Sequence, residues 1–291
     1  MKKIVSLVLS LSLILALAAC GGNSGAAQSP AQNSETPTPA QAEEVEVVVF
    51  AAASMEATLT QIADLYKEVA PNVKLTFTFD SSGTLKTQIE EGAVCDLFLS
   101  AAQKQMNQLD SQDTTGANTD GLDFVYSDTR IDLLENQVVL AVPPENPGKI
   151  NSFTDLASGD YLLCIGNDDV PVGAYSLEIL DYLGYSLDQL EDQGKVTYAS
   201  NVSEVARQVQ EGVVDAGMVY ATDASTYGLN VVDAATPEMC QQVIYPAAVM
   251  KSGEADSYDA AEEFLTYLYT NEKAISVWKN VGFTLIAQGD N

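Results

Sequence analysis

The chain has 291 residues, of which 41 are acidic and 13 are basic, and it contains no histidine. A net charge of −28 argues against a nucleic-acid partner, because binding to phosphate backbones requires clustered lysine and arginine side chains. The lack of histidine rules out a Ser-His-Asp or Cys-His catalytic arrangement. We therefore expect a protein that is not an enzyme.

The N-terminus has the pattern of an exported protein. Lys2 and Lys3 precede an apolar stretch that is too short to span a membrane, and this predicts a signal peptide over residues 1–19. The run Leu17-Ala18-Ala19-Cys20 resembles the lipobox of bacterial lipoproteins, which implies cleavage before Cys20 and a lipid on its thiol. Residues 20–44 are rich in small and polar residues and predict a flexible tether. The expected location is extracytoplasmic, with a lipid anchor in the bacterial cell membrane.

From residue 45 onward, the sequence alternates between strand and helix patterns. Apolar or alternating runs predict strands at 46–50, 73–79, 95–99, 137–142, 161–165, 196–199, 216–220 and 243–250. Apolar residues at helical spacing predict helices near 59–69, 84–90, 103–109, 173–183, 202–210, 261–268 and 275–278. This alternation favours an α/β fold with two lobes and mainly parallel sheets flanked by helices.

Three cysteines remain in the folded body, at Cys95, Cys164 and Cys240. Their wide spacing does not match a metal-ligand motif, and their neighbours are largely apolar. We interpret them as small buried hydrophobic side chains. A single disulfide between two of them is an open alternative for a protein outside the cell.

Four strand-to-helix junctions carry small or hydroxyl residues, at Ser54, 81–84, 166–173 and 200–203. Each junction presents free N–H groups and the positive end of a helix dipole. In an open α/β sheet such junctions gather at the carboxyl ends of the strands, where ligands bind. An anion can be held there without lysine or arginine. Ordinary helix capping is the alternative role for these residues.

Nine short segments, distributed in order over the folded body, form a family pattern. They are VFAAASM at 49–55, SSGTL at 81–85, QIEEGA at 88–93, DLFLSA at 96–101, VPVGAY at 170–175, NV at 201–202, AGMVY at 216–220, YPAAV at 245–249 and GF at 282–283. The set resembles periplasmic molybdate-binding proteins, the solute-binding component of molybdate ABC transporters.

This resemblance implies a type II periplasmic binding fold, in which two crossovers join two lobes. Lobe 1 would comprise residues 45–136 plus 246–291, and lobe 2 residues 137–245. It also implies a monomer that passes molybdate, and by similarity of shape tungstate, to an ABC transporter permease. No cofactor is expected, and molybdenum would enter only as the bound oxyanion.

The resemblance also assigns ligand contacts to particular positions. The contacts implied are the hydroxyls of Ser54, Ser82 and Tyr220 and the backbone N–H groups of Val172 and Val202. Such a set of donors suits molybdate, which carries no proton at neutral pH. Hydrogen phosphate would bring a proton that needs an acceptor, so we expect it to be rejected.

Two other functions fit the same sequence. The first is a binding lipoprotein for another solute, either a different oxyanion (tungstate alone or sulfate) or a small organic acid. An arginine in a junction would favour a carboxylate, but none of the four junctions contains one. The second is a surface lipoprotein with a structural or adhesive role, which would need no anion-binding cleft.

Overall fold

The structure, a computed structural model, describes residues 43–157 and 160–287. The predicted signal peptide, Cys20 and most of the predicted tether lie outside the described residues. Within the described ranges, none of the helices is both long and apolar enough to cross a membrane.

Eleven strands and nine α-helices alternate along the described chain. The strands are β1 (Val45–Ala52), β2 (Val73–Asp80), β3 (Leu97–Leu99), β4 (Ile131–Asn136), β5 (Val138–Val142), β6 (Leu163–Gly166), β7 (Val196–Ala199), β8 (Ala216–Tyr220), β9 (Asn230–Ala234), β10 (Val243–Val249) and β11 (Thr284–Leu285). The helices are α1 (Glu56–Tyr66), α2 (Ser82–Glu90), α3 (Gln103–Leu109), α4 (Pro171–Tyr182), α5 (Leu187–Asp192), α6 (Val202–Gln210), α7 (Ala221–Tyr227), α8 (Tyr258–Thr270) and α9 (Glu272–Val281).

The strands form two separate sheets. The first has the order β11-β4-β10-β3-β1-β2, and the second has the order β7-β6-β8-β5-β9. The chain passes from the first sheet to the second between β4 and β5, where only Gln137 separates the strands, and it returns between β9 and β10. This arrangement confirms the predicted α/β class with two sheets and two crossovers.

The sheets are mixed, whereas the sequence predicted mainly parallel ones. Among the described strands, two of the five pairings in the first sheet and two of the four in the second are parallel. Every antiparallel pairing among the described strands includes β4, β5 or β10, which lie next to a crossover in the chain. A strand that enters a sheet directly from the other sheet has no crossover helix to reverse its direction.

The boundary between the predicted lobes stays a prediction. Strand β10 joins the first sheet from Val243 onward, which would place the second crossover before Val243 rather than at the predicted 245/246 boundary.

Parallel pairing brings the ends of several strands to common edges. In the first sheet β1 pairs in parallel with β2 and β3, so the junctions after β1 and β2 lie at the same edge. In the second sheet β6 pairs in parallel with β7 and β8, which places the junctions after these three strands at one edge. All four junctions predicted from the sequence therefore lie at the carboxyl ends of parallel strands.

The core explains why the strands form where they do. β1 is an apolar run in which Val47 and Val49 are fully buried, as expected for a strand with a neighbour on each side and helices on its faces. Helix α1 buries Leu59, Ile62 and Tyr66 at helical spacing. Val69 was predicted on the same face, but it is 62% exposed because the helix ends at Tyr66.

The three cysteines of the body are free thiols. Cys95 and Cys164 are fully buried, while Cys240 is partly exposed. Burial raises the pKa of Cys164 to about 12, so this thiol stays protonated and unreactive at neutral pH. The interpretation as small buried side chains is confirmed for Cys95 and Cys164.

Candidate functional site

One small cavity lies between the junctions of the two sheets. Its wall is formed by Ala52, Ala53, Ser54, Asp80, Ser81, Ser82, Ala101, Val170, Pro171, Val172, Val202 and Tyr220. All five residues predicted as ligand contacts are in this set. The cavity volume is about 10 Å³, which is room for roughly one water molecule.

Ser54 contributes to the wall from the first sheet. It lies in a short 3-10 turn, Ala53–Met55, that directly follows β1. The side chain is buried, and its Oγ lies 2.9 Å from the hydroxyl of Tyr245. Sequence analysis placed Tyr245 in the predicted strand 243–250 and in the family segment YPAAV, and it had no signal for this contact.

Ser82 is the first residue of helix α2 and is fully buried. Its Oγ accepts a hydrogen bond from the backbone N–H of Ala101 at 2.9 Å. Because that bond uses an oxygen lone pair, the hydroxyl proton stays available for an acceptor in the cavity.

The first turn of α2 adds backbone donors. Ser81 caps the helix by accepting a hydrogen bond from the Thr84 N–H at 3.1 Å. In the described part of the chain, no acceptor binds the N–H groups of Ser82 and Gly83. These groups leave the positive end of the helix dipole uncompensated next to the cavity.

Asp80 is a wall residue that sequence analysis missed. Its Oδ1 accepts a hydrogen bond from the Ser81 N–H at 2.7 Å, which fixes the carboxylate beside the start of α2. It adds an acceptor and a negative charge to a wall that was expected to consist of donors. Neither lysine nor arginine lines the cavity.

The second sheet contributes two helix N-termini. Pro171 opens helix α4 and has no N–H, so the N–H of Val172 is the first donor of that helix. Val202 opens helix α6, where the Asn201 side chain caps the Glu204 N–H at 2.9 Å. Over the described residues, neither Val172 N–H nor Val202 N–H has a hydrogen-bond acceptor.

Tyr220 ends strand β8 and is only 1% exposed. Its hydroxyl has no hydrogen-bond partner within the described structure. Burial holds the pKa of this hydroxyl well above its ordinary value, so it keeps its proton and can only act as a neutral group. A buried hydroxyl without a partner costs about 1–3 kcal/mol, and an acceptor in the cavity would recover that cost.

A larger cavity of about 530 Å³ borders the two crossovers. Its wall includes Asn136, Gln137 and Gln241, but none of the five predicted ligand residues. Its walls come from both crossover segments, away from the carboxyl ends of the parallel strands.

Residues 43–157 and 160–287 contain no group of three or more metal-ligating side chains. The small cavity is lined by hydroxyl and backbone donors, together with the carboxylate of Asp80. These donors suit a ligand that accepts hydrogen bonds from several directions.

Two sheets joined by two crossovers, with donors from both converging on one cavity, define a type II periplasmic binding protein. Residues 47–284 match the model of the bacterial extracellular solute-binding proteins, and the chain belongs to this family. The sequence also matches a Bacillus subtilis protein provisionally named an ABC transporter substrate-binding lipoprotein. The two are 33% identical, over 81% of this chain and 85% of the relative.

Two further relatives carry names that mention molybdate. The molybdate-binding protein of Haemophilus influenzae is 32% identical, over 81% of this chain and 89% of its own. The structure of the Azotobacter vinelandii periplasmic molybdate-binding protein superposes with a TM-score of 0.68. It covers 83% of this chain and 100% of its own, at 24% identity, and supports the fold assignment.

Proposed function

We propose that this protein captures molybdate, and also tungstate, outside the cytoplasm and delivers it to an ABC transporter. The observation that carries the proposal is the convergence of Ser54, Ser82, Val172, Val202 and Tyr220 on one cavity that lysine and arginine do not line. Further support comes from the names of relatives that are 31–33% identical to this chain.

The proposed ligand contacts are five uncharged donors, three hydroxyls and two backbone N–H groups. A hydrogen bond to a charged group contributes about 1.5–3 kcal/mol. After the costs of association and ordering, five such bonds allow dissociation constants in the micromolar range or below. The net charge of −28 does not prevent this, because screening limits the reach of distant surface charges to about 8 Å.

Binding requires movement of the two walls. A cavity of about 10 Å³ is smaller than a tetrahedral oxyanion, so the lobes must separate to admit the anion and close again around it. Because the donors come from both lobes, the anion bridges them and favours the closed arrangement. In the proposal, the transporter recognises this closed form.

The anchor is part of the proposal. Cys20 would carry the lipid, and the following tether to residue 44 would allow the binding domain to reach the permease. The provisional lipoprotein name of the Bacillus subtilis relative supports this reading. A Cys20→Ser variant should move from the membrane fraction to the medium, and unchanged membrane retention would contradict the anchor.

A panel of oxyanions tests the proposed ligand by thermal unfolding. Molybdate and tungstate at 100 times their dissociation constants should each stabilise the purified protein by about 2.7 kcal/mol. Sulfate, which has the same charge but is smaller, should do so only at much higher concentration. Hydrogen phosphate is expected to have no effect, because the five proposed contacts are all donors and none of them accepts its proton.

Asp80 supplies the control for this panel, because its carboxylate is the one acceptor that could receive a phosphate proton. Phosphate stabilisation that appears in the wild type and disappears in Asp80→Asn would make this a site for protonated oxyanions. Stabilisation by sulfate alone would assign the sulfate alternative. No response to any of the four anions in a normally folded protein would favour the structural or adhesive role.

A further inference from the structure

A buried chain of hydrogen bonds connects the first crossover with Ser54. Asn136, the last residue of β4, lies within 3.2 Å of the Tyr245 hydroxyl through its Nδ2. The Tyr245 hydroxyl in turn lies 2.9 Å from Ser54 Oγ. All three side chains are at least nine-tenths buried, so water does not compete for these bonds.

The orientation of the Asn136 amide follows from its neighbours. The backbone N–H of Gln137 can only donate, and its acceptor is an Asn136 side-chain atom at 2.9 Å. That atom must be the amide oxygen, so the NH₂ group occupies the other side. Its two protons then go to Thr222 Oγ1 at 2.8 Å and to the Tyr245 hydroxyl at 3.2 Å.

This orientation determines the direction of the remaining bond. The Tyr245 oxygen accepts a hydrogen bond from the Asn136 NH₂ group, and its own O–H can donate one further hydrogen bond. Ser54 Oγ is the partner within reach. If Ser54 donated to Tyr245 instead, the tyrosine proton would be buried without an acceptor, which is costly. The Ser54 oxygen therefore accepts, and its own proton remains for a ligand in the cavity.

We propose that Asn136 and Tyr245 are positioning residues that fix the Ser54 hydroxyl as a donor toward the anion. The inference rests on the proposed function, because it needs an anion next to Ser54. Tyr245 does not touch the anion in this account and acts only through the serine. The same Asn136 amide also donates a hydrogen bond to Thr222, two residues after Tyr220. Asn136 therefore contacts both the residue behind Ser54 and the segment that follows Tyr220.

A double-mutant cycle on Ser54 and Tyr245 tests the inference. Phenylalanine at 245 keeps the ring, which packs edge-on against Tyr220 at 5.8 Å and Phe283 at 5.3 Å, and removes only the hydroxyl. We expect Tyr245→Phe to weaken molybdate binding about three- to tenfold in the wild-type background. In the Ser54→Ala background the same change should alter the dissociation constant less than about twofold.

Tyr267→Phe is the matched control. This tyrosine is also buried, and its hydroxyl lacks a partner in the described part of the molecule, but it lies on helix α8 outside the site. Its loss should leave molybdate affinity unchanged. Unfolding of each variant without ligand separates a loss of stability from a loss of binding.

The outcomes separate this inference from the proposed function. If the wild type binds no oxyanion, the proposed function fails, and the positioning role, which needs an anion next to Ser54, fails with it. A second outcome is that the wild type binds molybdate and Ser54→Ala weakens the binding, but Tyr245→Phe leaves the dissociation constant unchanged or raises it by the same factor in both backgrounds. That result would overturn only the positioning role. The positioning role is supported if the effect of Tyr245→Phe on molybdate affinity depends on Ser54 and Tyr267→Phe leaves that affinity unchanged.

Discussion

Replacing Gly83 with alanine is expected to weaken molybdate binding about tenfold to hundredfold while leaving the unliganded protein at least as stable. Gly83 lies in the first turn of α2, and a Cβ atom there would lie 2.1 Å from the backbone oxygen of Asp169, which precedes α4. A backbone atom cannot rotate away, so the two walls of the cavity would have to separate. Overpacking of this kind costs about 1–3 kcal/mol, and the cost applies only to the closed form.

The same substitution should not harm folding. Alanine is a better helix former than glycine by up to about 1 kcal/mol, and in the proposed open form the separated walls would no longer hold Asp169 against the methyl group. Calorimetric titration with molybdate and thermal unfolding without it would measure the two effects separately. Gly148→Ala is the control, because its Cβ would meet only side-chain atoms at 3.3 Å or more. Equal molybdate affinity in Gly83→Ala and the wild type would show that closure does not bring α2 against the Asp169 segment.

Replacing Asp223 with asparagine is expected to stabilise the protein above pH 8. Asp223 lies in α7, is 2% exposed, and its Oδ2 has no partner among the described residues. Burial raises the pKa of its carboxyl to about 8. Asparagine has the same shape and cannot ionise, so the burial penalty of the charge disappears.

The sign of the pH dependence follows from proton binding. Between the ordinary pKa near 4 and about 8, the folded state holds a proton at Asp223 that the unfolded state has lost. The free energy of unfolding of the wild type therefore falls as pH rises through this range, by at most about 1.4 kcal/mol per pH unit from this group. Below pH 4 the contribution of Asp223 is fully present, and above pH 8 it is lost.

Denaturant unfolding of both proteins from pH 4 to 9 would measure this difference. The stability of Asp223→Asn relative to the wild type should increase with pH and level off above 8, with a gain of about 2–5 kcal/mol. Comparing the two proteins cancels the contribution of the other acidic groups. A constant difference across this pH range would mean that Asp223 ionises normally in the folded state.

The sequence was sufficient to predict the central strands and the junctions that form the cavity. β1 and β8 are apolar runs, and helix α1, which follows β1, carries an apolar face. β4 was missed because Asp132 and Glu135 interrupt its apolar pattern, although it is paired on both sides by other strands. The edge strand β9 was missed because most of its residues remain partly exposed, which weakens the pattern.

Sequence patterns could not predict the long-range contacts that position the site residues. Ser54 and Tyr245 are 191 residues apart, and their hydrogen bond depends on β10 lying two strands from β1. The start of α2 was predicted two residues late, at 84 instead of Ser82, because its first turn contains a glycine and no large apolar residue. The contact of Gly83 with Asp169 likewise depends on how the two sheets approach each other.

Titration of the wild type and of Tyr220→Phe with molybdate tests the central claim most directly. The claim is that uncharged donors from both sheets bind a dianion, and Tyr220 offers the one hydroxyl of the three that is otherwise without a partner. We predict one molybdate per chain, a loss of about 1–3 kcal/mol of binding free energy in Tyr220→Phe, and no loss of unliganded stability. Equal molybdate affinity in the two proteins, or no binding by the wild type, would contradict the account.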